Sequence, residues 1–368
     1  MALAHPQTLA LSSTVVTHFK QDATLQMTSD DQDYEYVMDC KTTASKEHVI
    51  LALSDKTLQA RSRSTLACDR VIAAHNASIN EVCVSETSPW CVLSGSNDGT
   101  MKLWDLRTDQ GPAQSIRVGS EVWTCSMGCG DTLVVCGTTD RAVFYDTRTA
   151  RKLGEYGESH MDNVTRVRFH PLRRSEVVTA SEDGVVCLFD CTIADEDDAI
   201  ISIINVESAV TQFAFFGHEL HHMAFLTGSE TLDLWNITTA QRLAHFPQIR
   251  DACNALDMPT EYLIDCKYDA TSDQLHLVTG DHAGTVNIAT LGESSLTPQA
   301  KLVGGHKTAI RCIDWDDNML LTGGEDSRLC KWSASSGLFQ QQATRGIRAS
   351  VERDVSGLKK ARKSSRPY

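Results

Sequence analysis

The chain has 368 residues, 41% hydrophobic and 22% charged, with a formal net charge of −14. This composition supports a large packed core and excludes wholesale disorder, and with no uncharged apolar run of about 18 residues no membrane-spanning helix is expected. The charge is uneven: from Arg345 to Tyr368 eight Lys/Arg accompany two acids, a net of +6, which leaves −14 − 6 = −20 on the other 344 residues, a body that repels nucleic acid.

Residues 1–13 have no basic residue and are interrupted by His5-Pro6. They make a poor secretory signal and are expected to be a flexible lead-in. The 13 cysteines are scattered and include no Cys-x-x-Cys, which predicts reduced thiols in a nuclear or cytoplasmic chain. A strand is expected near Thr14–Lys20.

From there one pattern recurs: an apolar run, a small-residue step, an Asp-containing turn, then an alternating run ending in an aromatic. In chain order it appears at Val49–Ser62, Cys91–Thr108 ("CVLSGSNDGTMKLWDLRT"), Leu133–Thr149, Glu176–Thr192 ("EVVTASEDGVVCLFDCT"), Met223–Thr239, Leu275–Leu291 and Met319–Ser335 ("MLLTGGEDSRLCKWSAS"). Each copy reads as two strands joined by a tight turn. The terminal position falls on Arg61, Trp104, Tyr145, Phe189, Trp235, Ala289 and Trp332, spaced by 43, 41, 44, 46, 54 and 43 residues. Five of those spacings approach the roughly 40–45 residues of a four-stranded propeller blade, and 54 implies one longer connection. A further apolar strand precedes most pairs, such as Ile79–Ser85 and Val164–Pro171, and a fourth follows, such as Ala199–Asn205. The expected fold is all-β: a seven-bladed β-propeller over residues 14–340, closed by the N-terminal strand as the outer strand of blade seven, with a disordered basic tail over 341–368.

On these residues the chain resembles the WD-repeat family. The last repeat, "GGHKTAIRCIDWDDNMLLTGGEDSRLCKW", carries Gly-His, Thr, Glu-Asp and Trp at that family's spacing. The resemblance implies structural hydrogen-bonded tetrads at His306, Thr322, Asp326 and Trp332, and at His75, Ser94, Asp98 and Trp104. It implies a partial one at His160, Thr179 and Asp183, where Phe189 replaces the Trp. It also implies a non-enzymatic scaffold that binds proteins and needs no cofactor. "WDLR" and "YDTR" place Arg107 and Arg148 just after two successive aromatics, which resembles the Trp-Asp-x-Arg box of cullin-RING ubiquitin-ligase substrate receptors. There an Arg fork can hold a carboxylate of the adaptor.

"GHELHH" (Gly217–His222) spells His-Glu-x-x-His through His218, Glu219 and His222, which would signal a zinc hydrolase on a helix. Here it falls between two predicted strands, in a hairpin loop. In extended chain, residues i and i+4 lie about 13 Å apart and cannot share a zinc. Cys187 and Cys191 fail the same test, and Cys125/Cys129 read with them as small packing residues. The acidic Asp195–Asp198 reads as a solvated loop or a dock for a basic segment. The tail "LKKARKSSRPY" reads as a nuclear import signal, with at most weak nucleic-acid contact.

Overall fold

The computed structural model describes residues 10–11, 17–27, 35–108, 110–292, 295–316 and 319–334. The described residues form a seven-bladed β-propeller, each blade a four-stranded antiparallel sheet with strands a to d from the axis outward. Blades one to six span 37–73, 79–117, 124–156, 164–205, 210–246 and 262–302. Blade seven has strands Ile310–Trp315, Leu320–Gly324 and Arg328–Ala334.

Its fourth strand is Thr17–Gln26, antiparallel to Arg328–Ala334 with Phe19 opposite Ala334 and Gln26 opposite Arg328. The closing strand therefore runs further along the chain than the stretch near Thr14–Lys20 from which it was expected. The reason is packing: Ala23, Leu25 and Met27 lie against the core shared by blades seven and one, which the apolar look of the earlier stretch does not reveal. The segment also covers a second edge. Thr17 and His18 pair in parallel with Ala300 and Lys301 of blade six. Ala10–Leu11, within the expected lead-in, pairs with Ser295 and Leu296. The tail over 341–368 lies outside the described residues.

Strands b are buried on both faces because a blade stacks on each side. In Val49–Leu53 every residue is at most 1% exposed. The core is consequently a ring of inter-blade layers. Val178 and Leu188 of blade four pack with Phe213, Phe225 and Trp235 of blade five, and Val37 and Leu51 of blade one with Leu321 and Leu329 of blade seven. The 54-residue spacing is filled by a short helix, Ile249–Asn254, whose Ile249 and Cys253 are buried. The b–c turn of blade four needs Gly184 at φ 80°, where a Cβ would lie 3.0 Å from the Ser208 amide nitrogen. Only glycine meets both demands without strain.

Candidate functional site

The histidines and aspartates of the repeats are brought together inside the blades. In blade two, Trp104 Nε1 donates to Ser94 Oγ at 2.9 Å, His75 Nε2 lies 2.7 Å from the same oxygen, and His75 Nδ1 lies 2.9 Å from Asp98 Oδ2. Blade seven repeats this arrangement: Trp332 Nε1 to Thr322 Oγ1 at 2.8 Å, His306 Nε2 to Thr322 at 2.8 Å, His306 Nδ1 to Asp326 Oδ1 at 3.0 Å. In blade four His160 keeps Thr179 at 2.7 Å but stands 3.5 Å from Asp183. Phe189 instead stacks on Tyr156 at 4.6 Å between centroids. His75 and His306 engage both ring nitrogens with fixed partners, whereas His160 engages Nε2 and leaves its buried Nδ1 without a hydrogen bond; all three rings lie inside the blades rather than open to a substrate.

The other blades substitute different polar clusters. Blade five buries Asp233 completely, with His245 Nδ1 at 2.9 Å and Arg242 Nε at 3.1 Å, and Arg242 lies 5.0 Å from the Trp235 ring centroid. Burial raises the Asp233 carboxyl above its ordinary range. Blade six uses a hydroxyl pair, Thr260 and Thr279, at 2.9 Å. In blade one Arg61, at the aromatic position, is held by Gln59 and the Leu66 carbonyl. Sequence reasoning missed these; the one signal was a charged residue inside an alternating strand, as in "LDLWN" and "TLQARS".

A second set went unread because it forms only around the axis. Each blade is stitched to the next near its inner end. Asp314 accepts from Thr42 N at 2.8 Å, Asp39 from Val82 N at 3.0 Å, Glu81 from Cys125 N at 2.9 Å and Thr124 Oγ1 from Val167 N at 3.1 Å. Thr165 Oγ1 donates to the Val210 carbonyl at 2.8 Å, Glu230 accepts from Leu263 N at 2.7 Å, and Tyr262 Oη accepts from Ile310 N at 2.7 Å. Lys41, Arg166 and Arg168 share the channel with Asp39, Glu81 and Asp265. Burial opposes charge on Glu81, but Arg168 and Arg166, with hydrogen bonds from Arg168 and Thr124, hold its carboxyl at about 2.

Connections a–b and c–d fall on one face. There Gly217 (φ 80°) leads into a single 3₁₀ turn, His218–Leu220, with Glu219 at φ 62°. The His-Glu-x-x-His residues share no helix face. His218 is 93% exposed, Glu219 is engaged by His221 at 2.9 Å, and His222 sits in strand b against Phe216. Arg173 Nη1 donates to His221 Nδ1 at 2.8 Å and His170 Nε2 to the Leu220 carbonyl at 3.0 Å, tying the loop to blade four. Among the described residues no group of three or more His, Cys, Asp or Glu is placed to hold a metal ion. Cys125 and Cys187 are buried; Cys129 and Cys191 are half-buried.

On the same face Arg107 grips its own Asp105 through Nε at 2.9 Å and Nη2 at 2.7 Å, and Arg148 reaches Asp146 at 3.4 Å; both remain largely exposed. In the acidic run Asp195 caps the short helix Glu196–Ala199. Glu196 turns inward and accepts from the amides of Gly157, Glu158 and Ser159. Only Asp195, Asp197 and Asp198 point to solvent. Between blades five and six a groove of about 620 Å³ opens beside the His218 loop, lined by Phe216, Leu234, Leu243, Tyr268, Leu275 and Leu291.

Burial, the leading cause in each case, lowers His75, His160, His170, His222 and His276 below the ordinary histidine range. The unfolded chain then binds protons that the folded one does not, so stability falls as pH drops below about 6.5. His306 behaves oppositely: burial is outweighed by hydrogen bonds to Asp326 and Cys330, raising it to about 9. Its contribution is complete below about 6.5 and is lost as pH rises through about 9. Glu81 and Asp98, both held at about 2, begin to lose their contributions only below the ordinary carboxyl range. Between about pH 6.5 and 5 these histidines are expected to lower a urea midpoint, opposed by the burial-raised carboxyls of Asp233, Asp265 and Glu230; His276→Gln is expected to lessen the fall, and an unchanged fall contradicts the His276 assignment.

The closed ring of four-stranded blades and the Trp–Ser/Thr–His–Asp networks define a class, and the chain belongs to the WD-repeat family. The family model described as "WD domain, G-beta repeat" matches residues 66–105, 152–190 and 297–333. These hold the tetrad partners of blades two and four and the last tetrad. The chain is similar to WD repeat-containing protein 89 homolog of Dictyostelium discoideum, 32% identical over 302 residues, 81% of this chain and 82% of that one. It is also similar to WD repeat-containing protein GTS1 of Arabidopsis thaliana, 31% identical over 310 residues and 78% of each chain. Proteins of this family are generally non-enzymatic interaction scaffolds. No described helix is long and apolar enough to cross a membrane.

Proposed function

We propose that this chain is a non-enzymatic scaffold whose partner, an extended protein segment, seats an aliphatic or aromatic side chain in the groove between blades five and six. The carrying observation is the apolar lining of that groove, which opens on the a–b and c–d face with His218 and Asp273 at its rim. Apolar side chains are what such a lining holds best, and hydrogen bonds from the rim set orientation. A photo-crosslinking residue at Leu243 tests this. Crosslinks are expected to reach an apolar position of a partner, and Leu243→Asp is expected to lose that partner. Crosslinks confined to residues 1–9 of the same chain, which precede Ala10 beside Ser295, would reassign the groove to internal packing.

A second reading, substrate receptor of a cullin-RING ligase, is favoured by the exposure of Arg107 and Arg148 on that same face. Affinity capture with the wild-type chain and with Arg107→Ala/Arg148→Ala decides it: if wild type recovers no cullin adaptor, the reading ends. The basic tail supports a nuclear as well as cytoplasmic placement. Proximity labelling with and without residues 345–368 reports compartment and neighbours together.

A further inference from the structure

The outer strand of blade four, Ile200–Asn205, stands apart from the other outer strands. Its sequence, IISIIN, contains no charged residue and no proline. The outer strands of blades one, two, three and five each carry at least one charged side chain: Asp69 and Arg70, Arg117, Lys152 and Glu155, and Arg242. Those of blades six and seven are covered or supplied by the N-terminal segment. Charges, prolines and covers are how proteins keep sheet edges from pairing. Strand d of blade four has none of them along its length, and it is the last in its sheet, paired on one side only. Ser202 and Ile204 turn inward, while Ile201 and Ile203 are 41% and 52% exposed on the opposite face.

The ends of this strand carry a consistent charge. Asp195, Asp197 and Asp198 are exposed at its entry, and no cation among the described residues stands within ion-pair distance of them. Glu207, just past its exit, is 66% exposed and reaches Arg242 only at 4.0 Å. The molecule also shows that an outer strand of this ring accepts a further strand, since Ala10–Leu11 and Thr17–His18 add in parallel to the outer strand of blade six.

We propose that the outer strand of blade four is a strand-addition site for an extended segment of a partner protein. In that segment aliphatic side chains alternate with polar ones and Lys or Arg flank the apolar stretch. Main-chain hydrogen bonds to the free edge give affinity, Ile201 and Ile203 select aliphatic residues at alternate positions, and the flanking carboxylates select basic ends. This surface is separate from the groove between blades five and six, so either can fail while the other stands.

The probe is a labelled peptide, Lys-Arg-Lys-Val-Thr-Val-Thr-Val-Lys-Arg, titrated against the full chain by fluorescence anisotropy. Saturable binding is expected. Asp197→Asn/Asp198→Asn, which leaves the Asp195 cap in place, is expected to weaken it at least tenfold. Ile201→Lys/Ile203→Lys, at exposed positions, is expected to abolish it. A peptide N-methylated at alternate residues, tested on the wild-type chain, is expected to lose binding because it cannot pair as a strand. Absence of binding to wild type, undiminished binding of the N-methylated peptide, or equal binding of a Glu-flanked peptide overturns the proposal. Binding that appears only after removal of residues 335–368 also overturns it, by giving the site to the chain's own tail.

Discussion

Removal of residues 1–27 is expected to abolish cooperative folding of the ring. The deletion takes away the fourth strand of blade seven, whose ladder runs from Phe19 opposite Ala334 to Gln26 opposite Arg328. It strips Ala23, Leu25 and Met27 from the layer between blades seven and one, and it uncovers the outer strand of blade six. Burying one large aliphatic side chain contributes about 1.5–3 kcal/mol. Leu25 and Met27 are partly buried and contribute less than that each, but together with a seven-residue-pair ladder they are a large share of the roughly 5–15 kcal/mol that separates a folded domain from its unfolded chain. Two freed edges add an aggregation route. Size-exclusion chromatography and thermal unfolding check this; a monomer with an unchanged midpoint would show that the other strands close the ring unaided.

Glu81→Ala is expected to be the most damaging single substitution at the axis, by about 3–5 kcal/mol, the usual consequence of removing one partner of a buried ion pair. Glu81 is 5% exposed. One carboxylate oxygen receives Thr124 Oγ1 and the Cys125 amide of blade three, and the other receives Arg168 of blade four. Alanine leaves all three donors, the Arg168 guanidinium among them, without their acceptor. Glu81→Gln keeps an oxygen for the Cys125 amide but not the charge facing Arg168, so an intermediate loss is expected. Urea unfolding orders the three proteins; equal stability of Glu81→Ala and wild type would mean water replaces the carboxylate at no cost.

The channel also shows why sequence patterns alone could not reveal it. In "INEVCVS" Glu81 reads as the solvent face of an amphipathic strand, and Asp39, Thr124 and Asp314 read likewise. The face that alternation assigns to water is, in strand a, the face turned to the axis, where seven strands converge and their polar side chains bond the next blade. The same limit applies to blade five: Asp233, Arg242 and His245 come from two strands and meet only once those strands pair.

The sequence by itself determined the repeat, the number of blades and the residues of the full tetrads. Those features are local and periodic: each blade must satisfy the same packing and hydrogen-bond demands within about 40 residues. It also located "GHELHH" in an a–b hairpin and so separated the motif from the helix that gives it catalytic meaning. The tertiary structure alone decided which carboxylates are buried, where the closing strand runs, that Glu196 is anchored while its acidic neighbours stay exposed, and that one outer strand is left uncovered. These depend on which blades meet across the ring and on the register of the first strand against the last. Such contacts join residues up to some 300 positions apart, as Gln26 and Arg328 do, and no local period encodes them.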